Sequence, residues 1–138
     1  LMNIEKKNKL FKIDPYIRFR DNVWELKNQL IETLIKIVEL NGKIIGYGAP
    51  AKGNTILNTF GIGIQFLDCI VENNELKAGL YTPGTHVPIK LESSFELSRY
   101  RHALLLSWNL LDFFLDNSLY IKNGGKFVVP LPTPKILP

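Results

Sequence analysis

Cysteine occurs once in the chain, at position 69, and histidine twice, at 86 and 102. A single thiol forms no internal disulfide, and so few soft ligands build no Cys/His metal cluster, a pattern that suits a reducing cytoplasm. Cys69 reads as a buried structural thiol. Also absent are a Ser/His/Asp or Cys/His set, a His-Glu-x-x-His pair and the Tyr-x-x-x-Lys of short-chain reductases. The chain therefore reads as a binding domain without a reactive centre of its own. No long apolar run is present either: the stretch 103–115 is broken by Ser107, Asn109 and Asp112, whereas a membrane span needs about 20 predominantly apolar residues.

What remains is an ordinary packed domain. Its 138 residues, 46% hydrophobic and 22% charged, fit one globular unit. We read residues 1–14 as an N-terminal extension and 15–138 as the single domain. The 17 basic and 13 acidic residues leave a net charge of +4, with Lys6, Lys7, Lys9, Lys12, Arg18 and Arg20 near the start. Without a basic stripe interleaved with aromatics this is a solvated surface and gives no nucleic-acid footprint. No apolar core follows the early lysines as in a signal peptide. The leucine ahead of the first methionine reads as a cloning scar or as the edge of an excised piece, and the expected location is cytoplasmic.

Apolar residues recur at helical spacing over residues 14–40, through Tyr16, Phe19, Val23, Leu26, Leu30, Leu34 and Ile37. Asp14 and Pro15 serve as N-cap and first helical residue, Asn41 and Gly42 as the stop. A helix of this length outruns so small a domain, and part of it is expected to cover a neighbour. Beyond it, strands are expected at 43–47, 66–71, 85–91, 103–108 and 126–131, and a helix at 51–60. Ser93 and Glu96 have the spacing of a capping box for a short helix to Tyr100, and Asn109 is placed to cap a helix reaching Ile121. Alternating strands and helices imply a mainly parallel sheet of about five strands in a three-layer α/β/α, Rossmann-like fold behind a long N-terminal helix. The proline-rich tail is expected to leave the sheet as an edge or arm.

Ligands of open α/β sheets bind beyond the carboxyl ends of the strands. The first segment there is GYGAPAKGNT, residues 46–55. Gly46 and Gly48 permit a tight turn and close backbone approach, and Ala51 or Gly53 lets helix pack on strand. The helix N-terminus offers free N–H groups to a phosphate, and Lys52 adds charge without the Walker spacing. A side chain at Gly48 is expected to fill the phosphate's place. Glu72, about 20 residues on at the end of the next strand, suits a ribose hydroxyl. Two or three charge-assisted hydrogen bonds of about 1.5–3 kcal/mol each must offset an association cost of about 4 kcal/mol or more, so other contacts must contribute. The second segment, 73–84, is long for a connection and is either functional or mobile. It offers Lys77 and Tyr81, and His86 follows as a lone histidine with no assignable partner. In the third, Trp108 either stacks on a base or fills the core, and Asn109 is most simply a helix cap. In the fourth, Pro130, Pro132 and Pro134 stiffen the backbone.

At these segments the sequence resembles a known family. GYGAPAKGNT at 46–55, KAGLYTPGTHVPI at 77–89, LLLSWN at 104–109 and GGKFVVPLPTPKIL at 124–137 together are similar to the C-terminal domain of the sugar-nucleotide C-methyltransferases. The resemblance implies a three-part enzyme in which a zinc-binding domain and a central S-adenosylmethionine-binding domain precede this one. It implies a nucleotide-linked keto-deoxysugar, such as a dTDP-sugar, held between the last two domains, with the central domain supplying cofactor and catalysis. The expected reaction is proton abstraction beside a keto group, after which the resulting carbon nucleophile takes the methyl group. By the matching motifs, Gly46, Tyr47, Gly48, Ala49, Pro50, Ala51, Lys52, Gly53, Asn54 and Thr55 would face the sugar-nucleotide cleft, with Lys77, Tyr81, His86, Trp108 and Asn109. Glu72 stands where similar sequences commonly have Asp. The chain alone would lack both the zinc cysteines and the cofactor motif, so independent methyl transfer is not expected of it. Two other readings stay open: a small NAD(P)-binding Rossmann protein, and a non-catalytic module docking through the exposed side of the long helix.

Overall fold

The computed structural model describes all 138 residues. Eleven regular elements follow in chain order: α1 (Met2–Lys7), α2 (Asp14–Asn41), β1 (Ile44–Tyr47), α3 (Ala51–Phe60), β2 (Leu67–Glu72), β3 (Ile89–Leu91), β4 (His102–Leu105), α4 (Leu111–Asn117), α5 (Leu119–Lys122), β5 (Lys126–Val129) and β6 (Lys135–Leu137). The sheet order is β3-β2-β1-β4-β5-β6, with every pair parallel except β5–β6. This is the doubly wound order, and its switch point lies between β1 and β4. The strand count rises from the expected five to six because the proline-rich tail returns as an antiparallel edge strand.

Side chains alternate between two cores, as a sheet covered on both faces requires. Ile44, Ile70, Leu104 and Val128 join Leu30, Leu34 and Ile37 of α2 and Ile56, Leu57 and Phe60 of α3 on one face. Ile45, Tyr47, Val71, Leu105, Phe127 and Val129 join Tyr120 of α5 on the other, with Phe114 of α4 packed against them. Each fully buried Leu, Ile or Phe contributes about 1.5–3 kcal/mol. The alternation slips once, in β2: Ile44 pairs with Leu67 but Gly46 with Ile70, so β2 carries an extra residue there. Asp68 is exposed at the slip and reaches Tyr100, whose hydroxyl donates to it at 3.0 Å.

Several local expectations need correcting. Asp14 is already helical, with Ile13 at the cap position and no side chain capping the turn; its carboxylate serves the positive helix end from inside. No α-helix forms over 93–100, where two 3₁₀ turns, Glu92–Ser94 and Leu97–Arg99, replace it without side-chain caps. Phe95, Leu97 and Tyr100 all pack on the second core, and that spacing does not lie on one face of a 3.6-residue helix. Asn109 caps nothing: a 3₁₀ turn, Trp108–Leu110, precedes α4, and Ser118, with extended backbone, splits the expected helix into α4 and α5. The strand expected over 85–91 begins only at Ile89. Ahead of it the chain folds back on itself, with Thr82 N–H donating to Val87 O at 3.0 Å and a single bridge between Tyr81 and Pro88. No helix is long and apolar enough to cross a membrane.

Candidate functional site at the carboxyl edge

The β1–α3 turn is shaped by close packing. Gly48 has φ +80°, and a Cβ there would collide with Ser107 Oγ of the neighbouring strand's loop. The Gly48 side chain position is thus filled by the protein, not by open cleft. A Cβ at Gly53 would stand 2.8 Å from Leu106 Cβ, so glycine is what lets α3 approach the sheet. Gly46 lies within β1, where a Cβ would meet Ile70 Cγ1 at 2.7 Å. Pro50 occupies the cap of α3 and carries no N–H, and no side chain caps the first turn. The N–H groups of that turn therefore point to the carboxyl edge of the sheet.

The turn is held by an ion pair. Glu72 Oε2 accepts from Ala49 N–H at 2.8 Å and from Lys77 Nζ at 3.3 Å, while Oε1 accepts from the N–H groups of Asn73 at 2.9 Å and Asn74 at 3.2 Å. Lys77 Nζ also donates to Ala49 O at 3.0 Å, so the pair grips Ala49 from both its N–H and its carbonyl. Burial of Glu72 alone would raise its pKa; the Ala49 and Asn74 N–H groups and the Lys77 ammonium outweigh that and hold the carboxyl below its usual range.

Ala49, Pro50, Ala51 and Asn54 come together with Lys77 and Tyr81 around a cleft of about 370 Å³, floored by Leu57, Ile70, Ile89 and Leu106. That volume suits a small-molecule site, usually about 300–1,000 Å³. Asn54 Oδ1 is buried there with no hydrogen-bond partner. The other expected residues lie elsewhere. Lys52 places its ammonium 5.2 Å from the centre of the Trp108 ring, a cation–π pair, and Trp108 packs partly against both cores. Thr55 is exposed and donates to Ala51 O at 3.3 Å. Asn109 is exposed, as is His86, which has φ +52° in the loop before β3.

Tyr47 points to the opposite layer. It is 4% exposed, makes edge contacts with Phe114 and Phe127, and its hydroxyl donates to Glu92 and lies 3.3 Å from Ser118 Oγ. Burial, and then the Glu92 carboxylate, keep the phenol proton on well above the ordinary tyrosine range. Glu92 and Ser118 were not singled out from the sequence. Glu92 directly follows β3 and is reachable by the same strand-end rule that selected Glu72; nothing in the local sequence marks Ser118.

The model of the C-methyltransferase C-terminal domain family matches residues 1–132. The chain is also 35% identical over 109 residues to the C-methyltransferase NovU of Streptomyces niveus, covering 78% of this chain and 26% of that protein. It thus spans about a quarter of the length of this curated relative. With a family match over nearly its whole length, a doubly wound sheet and a glycine turn built at its switch point, the chain belongs to the C-methyltransferase C-terminal domain family.

Proposed function

We propose that this chain holds a nucleotide-linked keto-deoxysugar for methyl transfer carried out with the remainder of a larger enzyme. The observation that carries this reading is the convergence of the uncapped first turn of α3, Lys77, Tyr81 and the unpartnered Asn54 oxygen on one cleft. Such a turn presents N–H groups and positive dipole to a diphosphate. Lys77, held by Glu72 and Ala49 O, stands in the cleft lining as a fixed cation, and the apolar floor accepts an uncharged part of the ligand. Holding the substrate contributes to rate through orientation, which is worth several kcal/mol in well-placed reactions.

S-adenosylmethionine would supply the methyl group in the full enzyme. The residues here do not fit it, because Glu72, the acid beside the glycine turn, spends both oxygens on the protein and leaves none for a ribose diol. The same fact weakens the NAD(P)-binding alternative. We place the methyl donor on a preceding domain. The exposed Tyr16, Phe19 and Trp24 of α2 support a neighbour on that side, as does a groove of about 470 Å³ between Phe19, Val23, Phe60 and Leu131. Residues 15–138 remain the proposed folded unit; α1 in the preceding extension buries none of its residues.

A thermal-shift and calorimetric panel of dTDP, a dTDP-sugar, NAD, NADP and S-adenosylmethionine tests the proposal. A ligand at a hundredfold over its Kd stabilises by about 2.7 kcal/mol. The two dTDP compounds should stabilise the chain and the other three should not. Stabilisation by NAD alone, or by nothing in the panel, would refute it.

A further inference from the structure

On the α4 side of the sheet a second cavity, of about 500 Å³, also opens at the carboxyl edge, between Tyr47, Glu92, Phe113, Phe114, Asn117 and Ser118. We infer that it binds a neutral hydroxylated ring, the pentose or the hexose of the sugar nucleotide; the inference rests on the assignment of the diphosphate to the α3 cleft.

Position comes first. Tyr47 ends β1, Asn73 follows β2 and Glu92 follows β3, so the cavity belongs to the edge where ligands of this fold sit. Ala49, at the diphosphate cleft, is two residues from Tyr47, a chain distance of at most about 7 Å. One ligand can therefore engage both sides of the β1–α3 turn.

Hydrogen-bond capacity then selects the chemistry. A carboxylate accepts about four hydrogen bonds, and Glu72, at the end of β2, receives four from the protein. Glu92, half-buried just after β3, receives one, from the Tyr47 hydroxyl. Glu92 lines the cavity and its second oxygen has no protein donor, so it is free to accept from a ligand hydroxyl. Asn117 spends one amide N–H on Phe113 O at 2.9 Å, which leaves its oxygen as an acceptor. No lysine or arginine lines the cavity, so a phosphate would meet an uncompensated carboxylate. Acceptors of this kind suit ring hydroxyls, and Phe113, 59% exposed, offers a flat apolar wall for the carbon face of a ring.

Calorimetry with dTDP and dTDP-glucose on the wild-type chain, Glu92→Gln and Phe113→Ser tests the inference. Glu92→Gln keeps an acceptor for Tyr47, and Phe113→Ser changes an exposed side chain, so one folded variant suffices if the other misfolds. Loss of the carboxylate should weaken the affected ligand about tenfold. Weakening of dTDP-glucose alone places the hexose in the cavity; equal weakening of both ligands places the pentose there. Unchanged Kd values for both ligands in the folded variants overturn the inference and leave the cleft assignment standing. Failure of the wild type to bind either ligand overturns both.

Discussion

Replacing Glu72 with alanine removes the acceptor that closes the β1–α3 turn. Four donors lose their partner, but they do not lose it equally. The Asn73 and Asn74 N–H groups belong to exposed residues, and water takes over there. The Ala49 N–H is part-buried and is left unpaired at the cleft wall, a loss of about 1–3 kcal/mol. The Lys77 ion pair, whose lysine side chain is 39% exposed, adds less than about 1 kcal/mol after screening. Glu72→Ala should therefore cost about 2–3 kcal/mol, and Glu72→Gln, which keeps one neutral acceptor, about 1 kcal/mol. At roughly 3–5 °C per kcal/mol for a domain of this size, the alanine variant should melt about 10 °C lower.

The pH dependence has a definite sign. The native carboxyl of Glu72 lies below its usual range, so the native state binds the proton less readily than the unfolded chain, whose carboxyl titrates near about 4.3. The contribution of Glu72 is complete above that value and disappears as pH falls through the native pKa. Urea unfolding of wild type and Glu72→Ala at neutral pH and at about pH 3 measures it: the gap should be widest at neutral pH and close on acidification. A gap under about 0.5 kcal/mol at neutral pH, or one unchanged in acid, would refute the clasp.

Gly48→Ala should destabilise the fold by about 2 kcal/mol or more, from the positive φ and the collision with Ser107. Adding Ser107→Gly should recover only the collision part, which denaturant titration of the double variant reads directly. Burial, followed by the Asp68 charge, pushes the Cys69 thiol up to about 11; a thiol reagent at neutral pH should label it only after unfolding, and rapid native labelling would contradict the packing. Burial, then the charges of Arg101 and Lys126, holds His102 below the ordinary imidazole range. The unfolded chain therefore binds the proton first, and stability should fall as pH drops below about 6.5. His102→Gln should flatten that limb in urea titrations between about pH 6.5 and 5.

The parts of the fold legible in the sequence are those whose hydrophobic period is long or whose turn chemistry is specific. Over α2 the apolar stripe packs on the core for about four turns, from Val23 and Leu26 through Leu30, Leu34 and Ile37, and over α3 Gly61 stops the helix in the left-handed conformation. Residues 93–100 form no helix although Ser93 and Glu96 have the right types at capping spacing, because Phe95, Leu97 and Tyr100 are pulled onto the second core in a pattern no helix satisfies. Tertiary packing overrode the local signal. The edge strand β6 was hidden for a related reason: three residues after a proline-rich turn carry almost no period, and only pairing with β5 defines them. At the site, the strand-end rule reached Ala49, Asn54, Lys77 and Tyr81, which share one cleft. It did not separate them from Tyr47, whose side chain the strand alternation sends to the other face.

Glu72 and Glu92 show why residue type at a strand end does not decide a role. Both follow directly on parallel strands at the carboxyl edge, yet one receives four protein hydrogen bonds and the other one. The first acid is consumed in building the turn, so its charge is a structural component; the second keeps capacity for something outside the protein. Glu72 is not tuned for proton transfer. A general base works best with a pKa near the operating pH, whereas the perturbed groups around this edge move away from neutrality, Glu72 downward and Tyr47 upward. Such an edge can grip and orient a ligand without reacting with it. That is the behaviour the proposed role requires, in which this domain would hold a substrate for chemistry carried out by another.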